Sequence, residues 1–144
     1  MTHKDSGNYG KKHSPNLQKK PEVVEALKRK STGGEISCAA AFKIAEDLGI
    51  SPAEAGFTID SLEIKLVKCQ MGLYGYGPKK RAVKPMNNVP EALEEAIKVR
   101  LKDSKLSCKA AWEIAEKLGI GKMDVASACE TLKIKIFSCQ LGAF

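Results

Sequence analysis

The sequence predicts a mainly α-helical chain made of two tandem copies of one small unit, and three observations predict it. Shifting the 144-residue chain by 70 positions aligns 36–74 with 106–144, and 16 of these 39 positions are identical. In each copy, apolar residues recur at the spacing of one helix face. A Leu-Gly-Ile sequence, at Gly49 and again at Gly119, then marks a helix end. Two copies of roughly 55 residues are a tandem duplication, because a solenoid needs about three or more shorter repeats.

Each copy is predicted to contain three helices and a final strand. In the first copy the helices cover 21–30, 38–48 and the segment from Ser51, and the strand covers 64–69. In the second copy the helices cover 90–102, 108–118 and the segment from 121, and the strand covers 134–139. This pattern predicts four segments: a disordered basic arm (1–20), a first repeat (21–76), a basic linker (77–89) and a second repeat (90–144).

The second and third helices of each copy carry the clearest signals. Apolar residues of the second helix stand at i, i+3, i+4 and i+7, namely Ala41, Ile44, Ala45, Leu48 and their counterparts Ala111, Ile114, Ala115 and Leu118. Ser51 followed three residues later by Glu54 has the form of a capping box. The inner face of the third helix is predicted as Ala55, Ile59, Leu62 and, in the second copy, Val125, Cys129, Leu132.

A helix, then two helices joined by a glycine turn, then a strand, form a helix-turn-helix layout. Both copies resemble the winged helix-turn-helix superfamily at Ile44-Ala45, Leu48-Gly49-Ile50-Ser51-Pro52, Ala55, Ile59, Leu62 and at Ile114-Ala115, Leu118-Gly119-Ile120, Val125, Cys129, Leu132. The resemblance implies two winged-helix-like domains, each with three helices and a short β element. A short extended segment, 35–38 or 105–108, precedes the second helix of each copy. The resemblance implies that this segment pairs antiparallel with the final strand and that the third helix enters the DNA major groove.

The outward side chains of the third helix do not fit base reading. They are predicted to be Pro52, Ala53, Gly56, Phe57, Asp60 and, in the second copy, Lys122, Met123, Ala126, Ser127, Glu130. Side chains that read base edges are mostly Arg, Lys, Asn or Gln, and Lys122 alone belongs to that group. Asp60 and Glu130 would face phosphate. The sequence therefore disfavours sequence-specific reading by this helix.

Positive charge is concentrated outside the predicted folded units. The net charge is +7; residues 1–34 hold eight Lys/Arg against three Asp/Glu, and 77–90 hold four against none. Such segments can neutralise DNA phosphates without reading sequence, or they can simply keep two domains soluble and apart. The candidate nucleic-acid-binding residues are Lys11, Lys12, Lys19, Lys20, Lys28, Arg29, Lys30, Lys79, Lys80, Arg81, Lys84 and Lys122.

Four cysteines repeat with the duplication and leave three interpretations open. Cys38 and Cys69 are separated by 31 positions, as are Cys108 and Cys139. Antiparallel strands would bring each pair together. The thiols then serve as small buried apolar groups, as redox pairs whose first member lies at a helix N-terminus, or as metal ligands, although no Cys-x₂₋₄-Cys pair is present.

Catalysis is not expected. His3 and His13 lie in the N-terminal arm, so a Ser–His or Cys–His pair has no histidine in a folded unit. No phosphate-binding loop or zinc-protease motif occurs, and no cofactor is expected. Without a membrane-span-length apolar run or a secretory signal, the expected location is the cytoplasm.

The leading functional hypothesis is a nucleic-acid-binding or transcription-regulatory protein that contacts DNA through arm and linker, with low sequence specificity. The alternative is a protein–protein adaptor, sensitive to redox state or metal through the paired cysteines. For the adaptor, Phe57, Met71 and Met123 are candidate exposed apolar contacts.

Overall fold

A computed structural model describes residues 20–77 and 80–143, and these residues form six helices and four short strands. The first repeat contains α1 (Pro21–Lys30), β1 (Glu35–Ser37), α2 (Cys38–Leu48), α3 (Pro52–Ser61) and β2 (Lys65–Val67). The predicted mainly helical class is confirmed for the described part of the chain.

The second repeat has the same order of elements. It contains α4 (Glu91–Lys98), β3 (Lys105–Ser107), α5 (Cys108–Leu118), α6 (Lys122–Leu132) and β4 (Lys135–Phe137). The predicted first helix of this repeat, 90–102, was too long at its C-terminal end. The final strands are also shorter than predicted, with three residues each in place of six.

Local signals explain the central helices. The hydroxyl of Ser37 accepts a hydrogen bond from the N–H of Ala40 at 3.1 Å and caps α2, and Ser107 caps α5 through Ala110 at the same distance. Ser51 accepts from the N–H of Glu54 and caps α3. Each of these bonds satisfies one backbone donor that the first helical turn leaves unpaired.

The two strands of each repeat pair in parallel, which corrects the antiparallel expectation. β1 pairs with β2 in the register Glu35–Lys65, Ile36–Leu66, Ser37–Val67. β3 pairs with β4 in the register Lys105–Lys135, Leu106–Ile136, Ser107–Phe137. Two helices connect the strands of each pair, so they form a crossover that returns the chain in its original direction.

The predicted inner faces form the two cores, except at their last positions. Leu62 and Leu132, the last predicted core residues of the third helices, are only half-buried. The fully buried apolar side chains include Val23, Leu27, Ile36, Ala41, Ala55, Ile59, Leu66 and, in the second repeat, Leu93, Ile97, Leu106, Ala111, Val125, Ala128, Cys129. Leu48 and Leu118 were predicted on the inner faces but are 40% and 36% exposed. Both lie in the last turn of their helix, beside the glycine that ends it.

The compact units differ from the sequence repeats at their tails. Unit 1 comprises residues 20–69 together with 140–143, whereas unit 2 comprises 70–139, described apart from 78–79. The Cys-Gln-x-Gly sequence occurs twice in the chain, at Cys69 and at Cys139. The chain leaves its unit directly after each of these cysteines, so each unit is completed by the tail of the other repeat.

In unit 1, α3 carries a glycine where the tail passes. A Cβ built on Gly56 would lie 1.9 Å from the carbonyl oxygen of Leu141, far inside van der Waals contact. Leu141 itself is 1% exposed. The equivalent position of α6 is Ala126. The tail can approach α3 this closely only because residue 56 is glycine. No such requirement applies to α6, which has alanine at position 126.

In unit 2, the segment after the first repeat packs on α6. The carbonyl of Gly72 accepts hydrogen bonds from the N–H groups of Ala82 and Val83 at 2.8 and 3.1 Å. The side chain of Met71 is fully buried, which corrects its prediction as an exposed apolar contact. The linker is thus folded back on the tail and is part of unit 2.

The turn before β3 offers a test of local stability. Lys102 and Lys105 exchange backbone hydrogen bonds of 2.8 and 3.0 Å, and Asp103 and Ser104 between them have φ of 52° and 64°. Unit 1 has Gly33 and Gly34 at these positions. A non-glycine residue in this region costs roughly 1 kcal/mol or more.

We expect Ser104→Gly to raise the free energy of unfolding by about 0.5 kcal/mol, because Asp-Gly suits a turn with two positive φ angles and the relief exceeds the entropic cost of glycine. Urea denaturation measures the change. Ser104→Ala, which keeps the Cβ, is the control and is not expected to stabilise. A lower stability for Ser104→Gly would contradict this explanation of the turn.

Candidate nucleic-acid interface

Four lysines group at the exposed start of the β3–β4 pair. Lys102 and Lys105 are joined across the turn by their backbone hydrogen bonds, and Lys105 lies opposite Lys135 in the parallel register. Lys133, with φ of 58°, ends α6 two residues before Lys135. All four are exposed, and no ion pair involves them within the described residues. We refer to these four residues as the lysine edge.

The first repeat lacks this charge at the equivalent positions. Residues 32, 35, 63 and 65 are Thr32, Glu35, Glu63 and Lys65. Glu35 lies opposite Lys65 in the register, so opposite charges face each other across β1 and β2. In unit 2 the corresponding pair is Lys105 and Lys135. The acid closest in sequence to the lysine edge is Asp103, which is exposed in the turn.

The predicted basic residues are distributed over both units. Lys28, Arg29 and Lys30 form the last turn of α1 in unit 1. Lys80 and Lys84 are exposed in the linker part of unit 2. Lys11, Lys12, Lys19 and Lys79 lie outside the described residues.

Several of these cations have partners within the protein. Lys20 contacts Glu54 at 3.1 Å, Arg29 is 3.9 Å from Glu25, and Arg81 forms an ion pair with Glu130. These pairs are exposed or half-buried, so each contributes little to stability. A phosphate would nonetheless compete with a carboxylate for each of these three cations.

Lys122 is held by an aromatic ring and an amide. Its Nζ lies 4.4 Å from the centre of the Trp112 ring, a cation–π distance, and 3.4 Å from Oε1 of Gln70. The repeated glutamine of the tail therefore contacts α6. Lys122 is half-buried, and its charge is directed to neighbours within unit 2.

The third helix of each repeat is less accessible than predicted. Gly56, Asp60 and Ala126 were expected to face outward, but all three are buried. Asp60 is fully buried, and Glu130 is half-buried against Arg81. The tail covers α3 at Gly56, and the linker covers α6. Burial of these three positions leaves fewer side chains for contact with bases, which agrees with the unsuitable side chains of α3 and α6.

The cysteines are buried in or beside the strand pairs. Cys38, Cys69 and Cys108 are 4%, 5% and 6% exposed, Cys139 is half-buried, and all five cysteines carry thiols rather than disulfides. Within residues 20–77 and 80–143, no group of three or more His, Cys, Asp or Glu side chains could hold a metal ion. Burial of this kind supports a packing role, and the redox and metal interpretations stay predictions.

Cys129 illustrates the effect of burial on a thiol. Burial, reinforced by the negative charge of Glu130, raises the pKa of Cys129 from 9.0 to about 11. At pH 8 its thiolate fraction is then about 100-fold below that of an exposed thiol. We expect iodoacetamide to modify Cys129 about 100-fold more slowly than an unfolded control peptide, as measured by mass spectrometry.

Modification of Cys129 at the peptide's rate in the native chain would contradict its burial.

The raised pKa of Cys129 also has a consequence for stability. The folded state holds the proton more tightly, so this stabilisation is complete below pH 9.0 and is lost as the pH rises toward about 11. A Cys129→Ala variant should lose less folding stability than the wild type over this pH range.

No protein family, curated protein or solved structure matches the chain. Within residues 20–77 and 80–143, every helix falls short of the length and hydrophobicity that a membrane span needs.

The lysine edge was not predicted from the sequence, although a comparison of the two repeats would have indicated it. Lys102, Lys105 and Lys133 are separated in the sequence by acidic residues. The net charge of the segment that contains them is therefore small and does not reveal them. A position-by-position comparison of the repeats shows that three uncharged or acidic residues in one copy are lysines in the other. The strand register then brings them together with Lys135.

Proposed function

We propose that the protein is a non-catalytic nucleic-acid-binding protein that holds the phosphate backbone through the lysine edge of unit 2. The observation that carries the proposal is the pairing of Lys105 with Lys135, where unit 1 pairs Glu35 with Lys65. Like charges directly opposite each other destabilise a strand pair. A stable alternative is present in the other repeat, so the lysines are best explained by an anionic partner.

A phosphate backbone suits this surface better than a single anion. Lys102, Lys105, Lys133 and Lys135 are all exposed and can contact successive phosphates along one strand. Each contact releases condensed counterions, which gives affinity without sequence preference. The side chains on α3 and α6 supply little for reading bases. We therefore propose binding by charge, with transcription regulation as one role compatible with it.

The earlier candidates fit this proposal as additional contacts. Lys28, Arg29, Lys30, Lys80 and Lys84 are exposed and can each add a phosphate contact, as can the N-terminal basic residues of the sequence. The helix–turn–helix arrangement in each repeat supports a pair of winged-helix-like domains, although the parallel strand pairing differs from the expected one. In this proposal the domains act as scaffolds for the basic residues.

Fluorescence anisotropy with a labelled mixed-sequence DNA duplex, measured across a salt series, tests the proposed function. We expect binding at about 50 mM salt that weakens steeply by about 200 mM, with little difference between duplex sequences. A single-stranded DNA and an RNA duplex of equal length identify the preferred form. Absence of binding to all three near 50 mM salt would overturn the proposal.

A further inference from the structure

In unit 2, the segment before α4 is held along α6 by three contacts. Arg81 forms an ion pair with Glu130. The N–H of Met86 donates to the carbonyl of Ser127 at 3.2 Å, and Oγ1 of Thr131 donates to the carbonyl of Met86 at 2.6 Å. The segment is irregular here, so these contacts fix its path.

The duplication relates this segment to the residues that precede α1. A shift of 70 positions aligns Leu27 of α1 with Ile97 of α4, and both side chains are fully buried. The same shift, continued toward the N-terminus, aligns 11–19 with 81–89. Residues 11–19 lie outside the described residues. The alignment indicates that both segments stand at the same place in their repeats.

The two aligned segments share a cation and a proline. Lys11 falls on Arg81, and Pro15 falls on Pro85. Pro85 directly precedes the residue whose backbone is bonded to α6. Proline fixes its own φ at about −65° and restrains the residue before it, so it presets the path of the chain. Asn16, which follows Pro15, is therefore the residue expected to bond to α3.

α3 carries a counterpart for each group that binds the segment on α6. Asp60 falls on Glu130 and is fully buried. Because a carboxylate removed from water needs a charged or hydrogen-bonded partner, its burial favours a cation at this place. Ser61 falls on Thr131 and keeps the hydroxyl. The third group, a helix carbonyl, belongs to the backbone and is present in both repeats.

The tail of unit 1 extends the correspondence. In unit 2 the carbonyl of Gly72 accepts from the N–H groups of Ala82 and Val83 at 2.8 and 3.1 Å. Gly142 falls on Gly72 and has the same left-handed conformation, with φ of 81° against 75°. Residues 12–13 fall on the two donors. Unit 1 therefore has the acceptor that binds this segment in unit 2.

We infer that residues 11–19 pack along α3 of unit 1 as 81–89 pack along α6 of unit 2, with Lys11 paired to Asp60. The chain's own segment, and not a partner, then occupies this face of α3. A phosphate has to compete with a buried carboxylate for Lys11, so this lysine contributes less to nucleic-acid binding than the other basic residues before α1. The inference concerns unit 1 and does not depend on nucleic-acid binding.

Hydrogen exchange of the backbone amides in the full chain, followed by NMR, tests the inference. The N–H of Asn16 should exchange at least about tenfold more slowly than in a free peptide of residues 11–19, because a hydrogen-bonded amide exchanges only when its segment opens. The N–H of Met86 is the internal reference, since it is bonded to α6.

Two matched substitutions assign the contact. Ser61→Ala should bring the exchange rate of the Asn16 amide close to that of the peptide and leave the Met86 amide unchanged. Thr131→Ala, the equivalent change in unit 2, should accelerate exchange at Met86 and leave Asn16 unchanged. Circular dichroism establishes that each variant is folded.

A double-mutant cycle tests the ion pair. The effects of Lys11→Met and Asp60→Asn on the equilibrium constant of unfolding should be non-additive by at least about threefold, because residues in contact couple. Lys12→Met is the matched control, and its effect should add to that of Asp60→Asn.

Three outcomes would overturn the inference. They are exchange of the Asn16 amide at the peptide's rate, additive effects of Lys11→Met and Asp60→Asn, and protection of Asn16 that rises with protein concentration. The last would mean that a second copy binds the segment. Because these measurements contain no DNA, the inference can fail while the proposed function stands, and the reverse.

Discussion

Gly56→Ala is expected to destabilise unit 1 by about 2 kcal/mol. In an exposed helix the same substitution would stabilise by roughly 0.5–1 kcal/mol, because alanine loses less backbone entropy than glycine. Here the added Cβ would lie 1.9 Å from the carbonyl oxygen of Leu141. That neighbour is backbone and cannot turn aside, so either the tail or α3 has to move. Overpacking of this kind typically costs about 1–3 kcal/mol, which exceeds the helical gain.

Urea denaturation of the full chain measures this loss, and a second background tests its cause. In a chain that ends at Gln140, the clashing carbonyl is absent and Gly56→Ala should become neutral or slightly stabilising. Ala126→Gly is the matched change in unit 2 and should cost about 1 kcal/mol through helix propensity. An equal effect of Gly56→Ala in the full-length and shortened chains would refute the contact between tail and helix as its cause.

Giving unit 2 the charges of unit 1 is expected to remove most of the binding to DNA while leaving the fold intact. The variant combines Lys102→Thr, Lys105→Glu and Lys133→Glu. Each lost phosphate contact lowers the salt slope by about 1, so the slope should fall by roughly 3. Affinity near 100 mM salt should drop at least about tenfold. Lys105→Glu places an acid opposite Lys135, so the free energy of unfolding should rise by about 0.2–1 kcal/mol.

If the triple variant is more stable than the wild type but binds DNA more weakly, these lysines serve binding and not folding. The control variant combines Lys43→Glu, Lys98→Thr and Lys117→Glu, which changes the net charge equally at positions away from the lysine edge. We expect it to lose much less affinity. If the two variants bind DNA equally weakly, overall charge and not this surface determines binding, and the assignment of the site fails.

The helices could be predicted because their signals are local. Ser37, Ser51 and Ser107 cap helices through bonds three residues away, and Gly49 ends α2 with a φ of 65°. The buried faces follow from spacing along one helix, as for Ala55 and Ile59. Leu48 and Leu118 are exceptions because the core ends before the helix does.

The strand direction and the path of the tails could not be predicted in this way. Three-residue strands carry almost no pattern, so their pairing was taken from a resemblance and was wrong. Gly56 and Asp60 were expected on an outer face because a single repeat offers nothing to cover them. The covering segment at Leu141 is 85 positions away from Gly56 in the sequence. The lysine edge could not be predicted either, because it depends on the pairing of β3 with β4, which are distant in the sequence.

The exchange of tails also bears on how the protein is made. Unit 1 begins before unit 2 in the sequence but contains residues 140–143, so its last segment is synthesised after the whole of unit 2. Domains generally fold as they emerge, the N-terminal one first. In this chain α1, α2 and α3 must wait until residues 140–143 leave the ribosome, whereas unit 2 needs nothing beyond Cys139. The unit that begins first is therefore completed second, and a chain that stops before residue 140 cannot complete it.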